Sequence, residues 1–120
     1  MRIYLDTCAV QRPLDDRNQI RISLEAEAIL GVLAFCESGK IKLILSDALL
    51  FEVQKIPKLT RKEYALGVLS KTKEFIQLNP EIEDRAMHFN KRGIKPLDAL
   101  HLACAENAKV DFCVLVMINF

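Results

Sequence analysis

Acidic side chains set among apolar neighbours are where this sequence could do chemistry. Asp6 closes the run Arg2-Ile3-Tyr4-Leu5, and Asp98 lies within Lys95-Pro96-Leu97-Asp98-Ala99-Leu100-His101-Leu102-Ala103. The first run reads as a strand, and Asp98 falls in the first turn of an apolar helix. In α/β folds the C-terminal tips of the strands build the ligand crevice, so acids near the two ends of a chain can meet there. Carboxylates brought together repel each other unless a cation holds them, and a hard divalent ion takes oxygen ligands of this kind.

Each acid also has a plainer explanation. Asp6 could simply end a strand and turn the chain, although the hydroxyl of Thr7 beside it could ligate a metal or orient its water. A phosphoryl-aspartate enzyme of the haloacid-dehalogenase type also begins with a strand ending in Asp, but it wants a second acid two residues on, where this chain has Cys8. A phosphoryl-accepting receiver-like domain would be labelled on Asp6 by a phosphoryl donor. Glu52, between Phe51 and Val53, either reaches solvent and pairs with Lys55 at i+3 or finds a cation or donor, because a lone buried carboxylate costs several kcal/mol. Asp47 and Asp98 both suit the positive end of a helix dipole. The surroundings of Asp98 are the more apolar, whereas Glu81-x-Glu83-Asp84 reads as a solvated face. His101, one turn after Asp98, is either a packing histidine with its hydrogen bonds met or a group that shuttles protons or touches a phosphate.

The elements that must position these residues follow from pattern and punctuation. Residues 2–5 form a strand, and the polar stretch 11–19, with Pro13, is a loop. Ile22, Ala26, Ile29, Leu30 and Leu33 recur at helical spacing until Ser38-Gly39. Residues 40–45 form a strand, after which Ser46 caps a helix over 47–55 that ends before Pro57. Thr60-Arg61-Lys62-Glu63 fits a capping box for a helix reaching residue 73, and 75–78 is a short edge strand. Asn79-Pro80-Glu81 begins a helix that stops at Gly93, Lys95-Pro96 opens another, and 110–118 is an apolar run fit for a buried strand. Strands separated by helical segments imply a parallel sheet of about four strands in a three-layer α/β/α arrangement. The central strands should be the first and last, or those next to them.

Size and composition bound the answer. A chain of 120 residues with 51% apolar content fits one domain over residues 1–120, large enough for a sizeable core. It contains no apolar run of membrane-spanning length and no signal-peptide pattern, so a cytoplasmic protein without membrane association is expected. Cys8, Cys36, Cys104 and Cys113 lack C-x-x-C spacing and read as buried thiols. A net charge of +1 leaves no global footprint for nucleic acid, so any RNA contact must be a local patch.

Taken together, Arg2-Ile3-Tyr4-Leu5-Asp6-Thr7-Cys8, Arg12-Pro13-Leu14-Asp15-Asp16, Phe51-Glu52 and Ile94-Lys95-Pro96-Leu97-Asp98-Ala99-Leu100-His101-Leu102-Ala103 resemble the PIN-domain family, close to its VapC-type members. The likeness spans nearly the whole chain, and its last block is the most specific part. It implies a parallel sheet flanked by helices and an acidic pocket that binds Mg²⁺ or Mn²⁺ and hydrolyses RNA. Such a protein is often the toxin of a toxin–antitoxin pair. Carried over by motif, Asp6, Glu52 and Asp98 are the metal-site and catalytic acids, with Thr7 beside them; Arg12, Arg92 or Lys95 would steer the RNA backbone.

The resemblance departs at the far end. Such domains usually follow the last strand with a Thr-Thr-Asp-Asp-like segment and a further helix, where this chain has Val116-Met117-Ile118-Asn119-Phe120. Asn119 could supply an amide oxygen in place of a fourth acid, and a shortened or altered reading frame would explain the ending. The rival expectation is a PIN-like module that binds RNA or a protein partner without cleavage. The apolar run 114–118 and the helix around Tyr64-Ala65-Leu66-Val68-Leu69 hold more apolar surface than one small core needs, which points to a homodimer or an antitoxin as cover.

Overall fold

The computed structural model describes residues 1–72 and 74–115. Its sheet is built from β1 (Arg2–Leu5), β2 (Lys42–Ser46), β3 (Glu74–Ile76) and β4 (Phe112–Val114), all parallel, in the order β3-β2-β1-β4. The helices are α1 (Thr7–Gln11), α2 (Ile20–Glu37), α3 (Asp47–Gln54), α4 (Leu59–Ser70), α5 (Pro80–Lys91) and α6 (Pro96–Asn107), with a 3₁₀ turn over Arg12–Leu14.

The two-residue period of the strands divides the core. Ile3 and Leu5 of β1 and Leu43 and Leu45 of β2 pack with Ala9, Val10, Ile29, Leu49, Val53, Ala65, Val68 and Leu69, which come from α1 to α4. Tyr4 and Ile44 point the other way and meet Ile82, Ala86, Ala103, Cys104 and Ala105 of α5 and α6. The result is the three-layer α/β/α arrangement expected of a parallel sheet whose inner strands are buried on both faces. Complete burial of a side chain such as Ile44 or Leu45 contributes about 1.5–3 kcal/mol, so the β1–β2 pair anchors both layers.

Local chemistry explains most helix boundaries. Ser46 caps α3 by accepting from the Leu49 amide at 3.4 Å. Asn79 caps α5 by accepting from Ile82 at 2.9 Å. Pro80 and Pro96 take first-turn positions where a missing N–H costs nothing. Acids in the first turn of α5 and His88 and Lys91 in its last turn complement the helix dipole.

Three expectations needed correction. The stretch after Asp6 folds at once into α1 and the 3₁₀ turn, leaving only residues 15–19 irregular before α2. Helix α4 begins at Leu59 after Lys58, which provides no side-chain cap, so Thr60 lies inside the first turn and forms no capping box. The last strand is short and lies at an edge with Phe112 exposed, whereas a long buried strand was expected; residues 116–118 of that run lie outside the described residues. The first strand is indeed central, with β2 beside it, and the last is not. No helix among the described residues is long and apolar enough to cross a membrane.

Candidate active site

The chain steps from β1 to β2 to β3 in one direction across the sheet and then places β4 on the other side of β1. That reversal opens a crevice above the C-terminal ends of β1 and β4, the usual ligand position in open α/β sheets. Asp6 stands at its floor. Its amide donates to the Val114 carbonyl at 3.1 Å, which ties the tip of β1 to β4. Its carboxylate Oδ1 accepts from the Ala9 amide at 2.7 Å and so caps α1. The residue is only 3% exposed.

Glu52 lies on α3, which β2 aims through its Ser46 cap, and Asp98 lies in the first turn of α6. Both are half-buried. The Cys8 thiol shows that the three acids share one neighbourhood. Its pKa is pushed up to about 11, first by burial and then by the negative charges of Asp6, Glu52 and Asp98, against a lowering by Arg12. The neighbouring Cys113 thiol of β4 is likewise pushed up to about 11 by burial and then by Asp6. Asp6, Glu52 and Asp98 therefore all lie within electrostatic reach of Cys8.

The donor chemistry suits a hard cation: carboxylate oxygens, with Thr7 Oγ1 next to Asp6, buried and without a hydrogen-bond partner among the described residues. The spacing does not close into a cage. Among the described residues no three His, Cys, Asp or Glu side chains are close enough together to hold a metal ion. One reason is visible, since Glu52 Oε1 is hydrogen-bonded to His101 Nε2. The i+3 neighbour Lys55 instead lies over the Phe51 ring, with its ammonium 4.1 Å from the centroid.

Arg12 is buried, and its guanidinium pairs with Asp15 at 3.0 Å and Glu25 at 3.1 Å. It braces the 3₁₀ turn against α2 rather than presenting charge to a polyanion. Arg92 and Lys95 are exposed near the start of α6. Asn119 lies outside the described residues. All four cysteines are free thiols, but only Cys104 is buried as expected; Cys8, Cys36 and Cys113 are half-buried.

No family model matches the chain, and no curated protein sequence matches it. Solved structures do. VapC20 of Mycobacterium tuberculosis, described as a sarcin-ricin-loop-cleaving toxin, superposes with a TM-score of 0.59 over 92% of this chain and 86% of its own, at 13% identity. FitAcB from Neisseria gonorrhoeae gives 0.56 over 92% and 84%, at 15% identity. The fold is PIN-like, shared with VapC20 and FitAcB. At these identities the likeness is one of architecture.

Within this PIN-like fold the role of Tyr4 went unread in the sequence, and Ser46 was read only as a helix cap. Tyr4 and Ser46 are fully buried, and the Tyr4 hydroxyl lies 2.7 Å from Ser46 Oγ and 2.6 Å from His101 Nδ1. The signal was available, because a tyrosine in a strand otherwise made of Ile and Leu must find its hydroxyl a partner when buried. The phenol stays protonated, since burial drives its pKa well above the ordinary tyrosine range.

Proposed function

We propose that this chain is a divalent-metal-dependent ribonuclease that uses Asp6, Glu52 and Asp98 to hydrolyse RNA phosphodiester bonds. The observation that carries the reading is the placement of Asp6 at the C-terminal tip of β1 in a PIN-like sheet, with Glu52 of α3 hydrogen-bonded to His101 of α6, one turn after Asp98. Asp6 and Asp98 would hold Mg²⁺ or Mn²⁺, with the Thr7 hydroxyl as a further oxygen donor. Bound there, the ion supplies Lewis-acid activation of water and neutralises charge developing on the scissile phosphate. Glu52 orients the attacking water and accepts its proton. Arg92 and Lys95 provide the local positive patch that a chain of net charge +1 needs in order to position an RNA backbone.

Of the α4 residues expected to face a partner, Ala65, Val68 and Leu69 belong to the core while Leu66 is exposed, as is Leu59 at the start of that helix; Ile20, Leu24 and Phe35 of α2 are exposed as well. An antitoxin or a second copy of the chain would cover α2. VapC20 is itself described as a toxin.

A second reading has an observation of its own. Because Glu52 is bound to His101 and no three-ligand group forms among the described residues, the chain could bind RNA or a protein without cutting. Incubation of a structured RNA with the protein in Mg²⁺ separates the two. The ribonuclease reading predicts cleavage that is lost in Asp6→Asn and on chelation of the metal; full activity in Asp6→Asn refutes the assignment.

A further inference from the structure

We infer that Tyr4 and His101 are positioning residues that hold the Glu52 carboxylate in one orientation at the sheet rim, through a hydrogen-bond relay running Ser46, Tyr4, His101, Glu52. The inference rests on the reading of Glu52 as a site acid.

The relay draws one member from each of four places: the tip of β2, the middle of β1, the body of α6 and α3. Tyr4 and Ser46 are completely buried and His101 is 2% exposed, while the Glu52 side chain is 23% exposed. The chain of contacts thus leads from the core to a carboxylate that reaches the crevice.

For an ionised Glu52 and a neutral His101 ring, donor and acceptor rules give the relay one direction. A carboxylate only accepts, so His101 Nε2 must carry a hydrogen and donate it to Glu52 Oε1. In a neutral imidazole Nδ1 then has only a lone pair, and the Tyr4 hydroxyl donates to it across 2.6 Å. With its hydrogen spent, the Tyr4 oxygen accepts from the Ser46 hydroxyl at 2.7 Å. Ser46 Oγ in turn accepts from the Leu49 amide at the start of α3. Every link has a partner on both sides, and reversing one link would set two acceptors or two donors face to face.

A purely structural histidine would be satisfied by the Tyr4 bond and any carbonyl. Here the second ring nitrogen is spent on the carboxylate of Glu52, on the helix that follows the β2 tip, and His101 itself lies one turn after Asp98. Fixing the tautomer of an imidazole so that its far nitrogen orients an acid is the arrangement by which outer-shell groups tune metal and catalytic sites, and its removal costs about 10- to 100-fold in affinity or activity.

The test uses the full chain. In metal-free protein at neutral pH, ¹⁵N NMR of the imidazole rings is predicted to show His101 as the Nε2–H tautomer, with His88→Gln assigning the only other histidine. Tyr4→Phe removes the donor to Nδ1 and is predicted to move the Nδ1 resonance downfield, toward that of a nitrogen without a hydrogen bond, while the hydrogen stays on Nε2. An Nδ1–H ring in the wild type, or an unchanged ring pattern in Tyr4→Phe, overturns the relay. In RNA cleavage at saturating Mg²⁺, His101→Leu is predicted to lower kcat about 10- to 100-fold with KM for RNA unchanged. His101→Gln, whose amide N–H stands near the place of Nε2, is predicted to recover most of that loss. An unaltered kcat in His101→Leu, or a failure of His101→Gln to exceed it, overturns the positioning role. A wild-type chain that cuts no RNA contradicts the ribonuclease reading, and the ring measurement then decides the relay on its own, so the two fail separately.

Discussion

Asp6 Oδ1 accepts a hydrogen bond from the Ala9 amide at 2.7 Å, so the acid at the tip of β1 is also the cap of the helix that follows. One side chain thus carries a structural and a proposed chemical duty, and two substitutions separate them. Asp6→Asn keeps an oxygen that can cap α1 but removes the charge; Asp6→Ala removes both. Urea unfolding should show Asp6→Asn within about 0.5 kcal/mol of the wild type and Asp6→Ala less stable by about 0.5–2 kcal/mol. Equal losses in the two variants would contradict the capping role.

Asp15 bridges two arginines, Arg12 at 3.0 Å and Arg61 at 2.7 Å, and thereby joins the 3₁₀ turn to α4. Arg61 also donates to the Leu14 carbonyl and to Gln11. Hydrogen bonds to charged groups contribute about 1.5–3 kcal/mol when buried, and the part-exposure of Asp15 brings that toward the low end. Asp15→Ala is expected to lower stability by about 1–2 kcal/mol. A double-mutant cycle with Arg61→Ala should show the two losses to be non-additive, and simple additivity would mean that the bridge contributes nothing.

The half-buried Cys113 thiol and the buried Tyr4 phenol give the pH dependence its sign. Burial first, and then Asp6, lifts Cys113 from an ordinary 9.0 to about 11, and burial lifts Tyr4 further still. A folded-state pKa above the unfolded value means that the native state holds its proton more tightly. The associated stability is fully present below the unfolded value and is lost as pH rises through the folded one. Thermal melting should therefore be flat on the alkaline side up to about pH 9 and decline from there toward pH 11, with Cys113→Ala giving a shallower decline. A melting temperature that rises across that interval would contradict the burial of these groups.

The legibility of the molecule followed the kind of interaction involved. The period of Ile3, Leu5, Leu43 and Leu45 and the caps at Ser46 and Asn79 are local and appear in the sequence as they do in the fold. Thr60 misled because a capping box needs the helix to start right after that residue, whereas α4 begins at Leu59. Asp6, Glu52 and Asp98 stood out as acids among apolar residues; all three lie within electrostatic reach of Cys8, and among the described residues no three acidic, histidine or cysteine side chains are close enough to hold a metal ion. Which partner each would take was not legible. The His101 bond to Glu52 and the ion pairs of Arg12 join residues remote along the chain, and neither the i+3 spacing to Lys55 nor the basic character of Arg12 predicts them.

Calorimetric titration of Mn²⁺ into the metal-free wild type, beside Asp98→Asn as the control, measures most directly whether these acids form a cation site. The account predicts one site with a dissociation constant on the order of 10⁻⁶ to 10⁻³ M, weakened at least about tenfold in Asp98→Asn. Heats equal to dilution into buffer, or binding unchanged in Asp98→Asn, would contradict it.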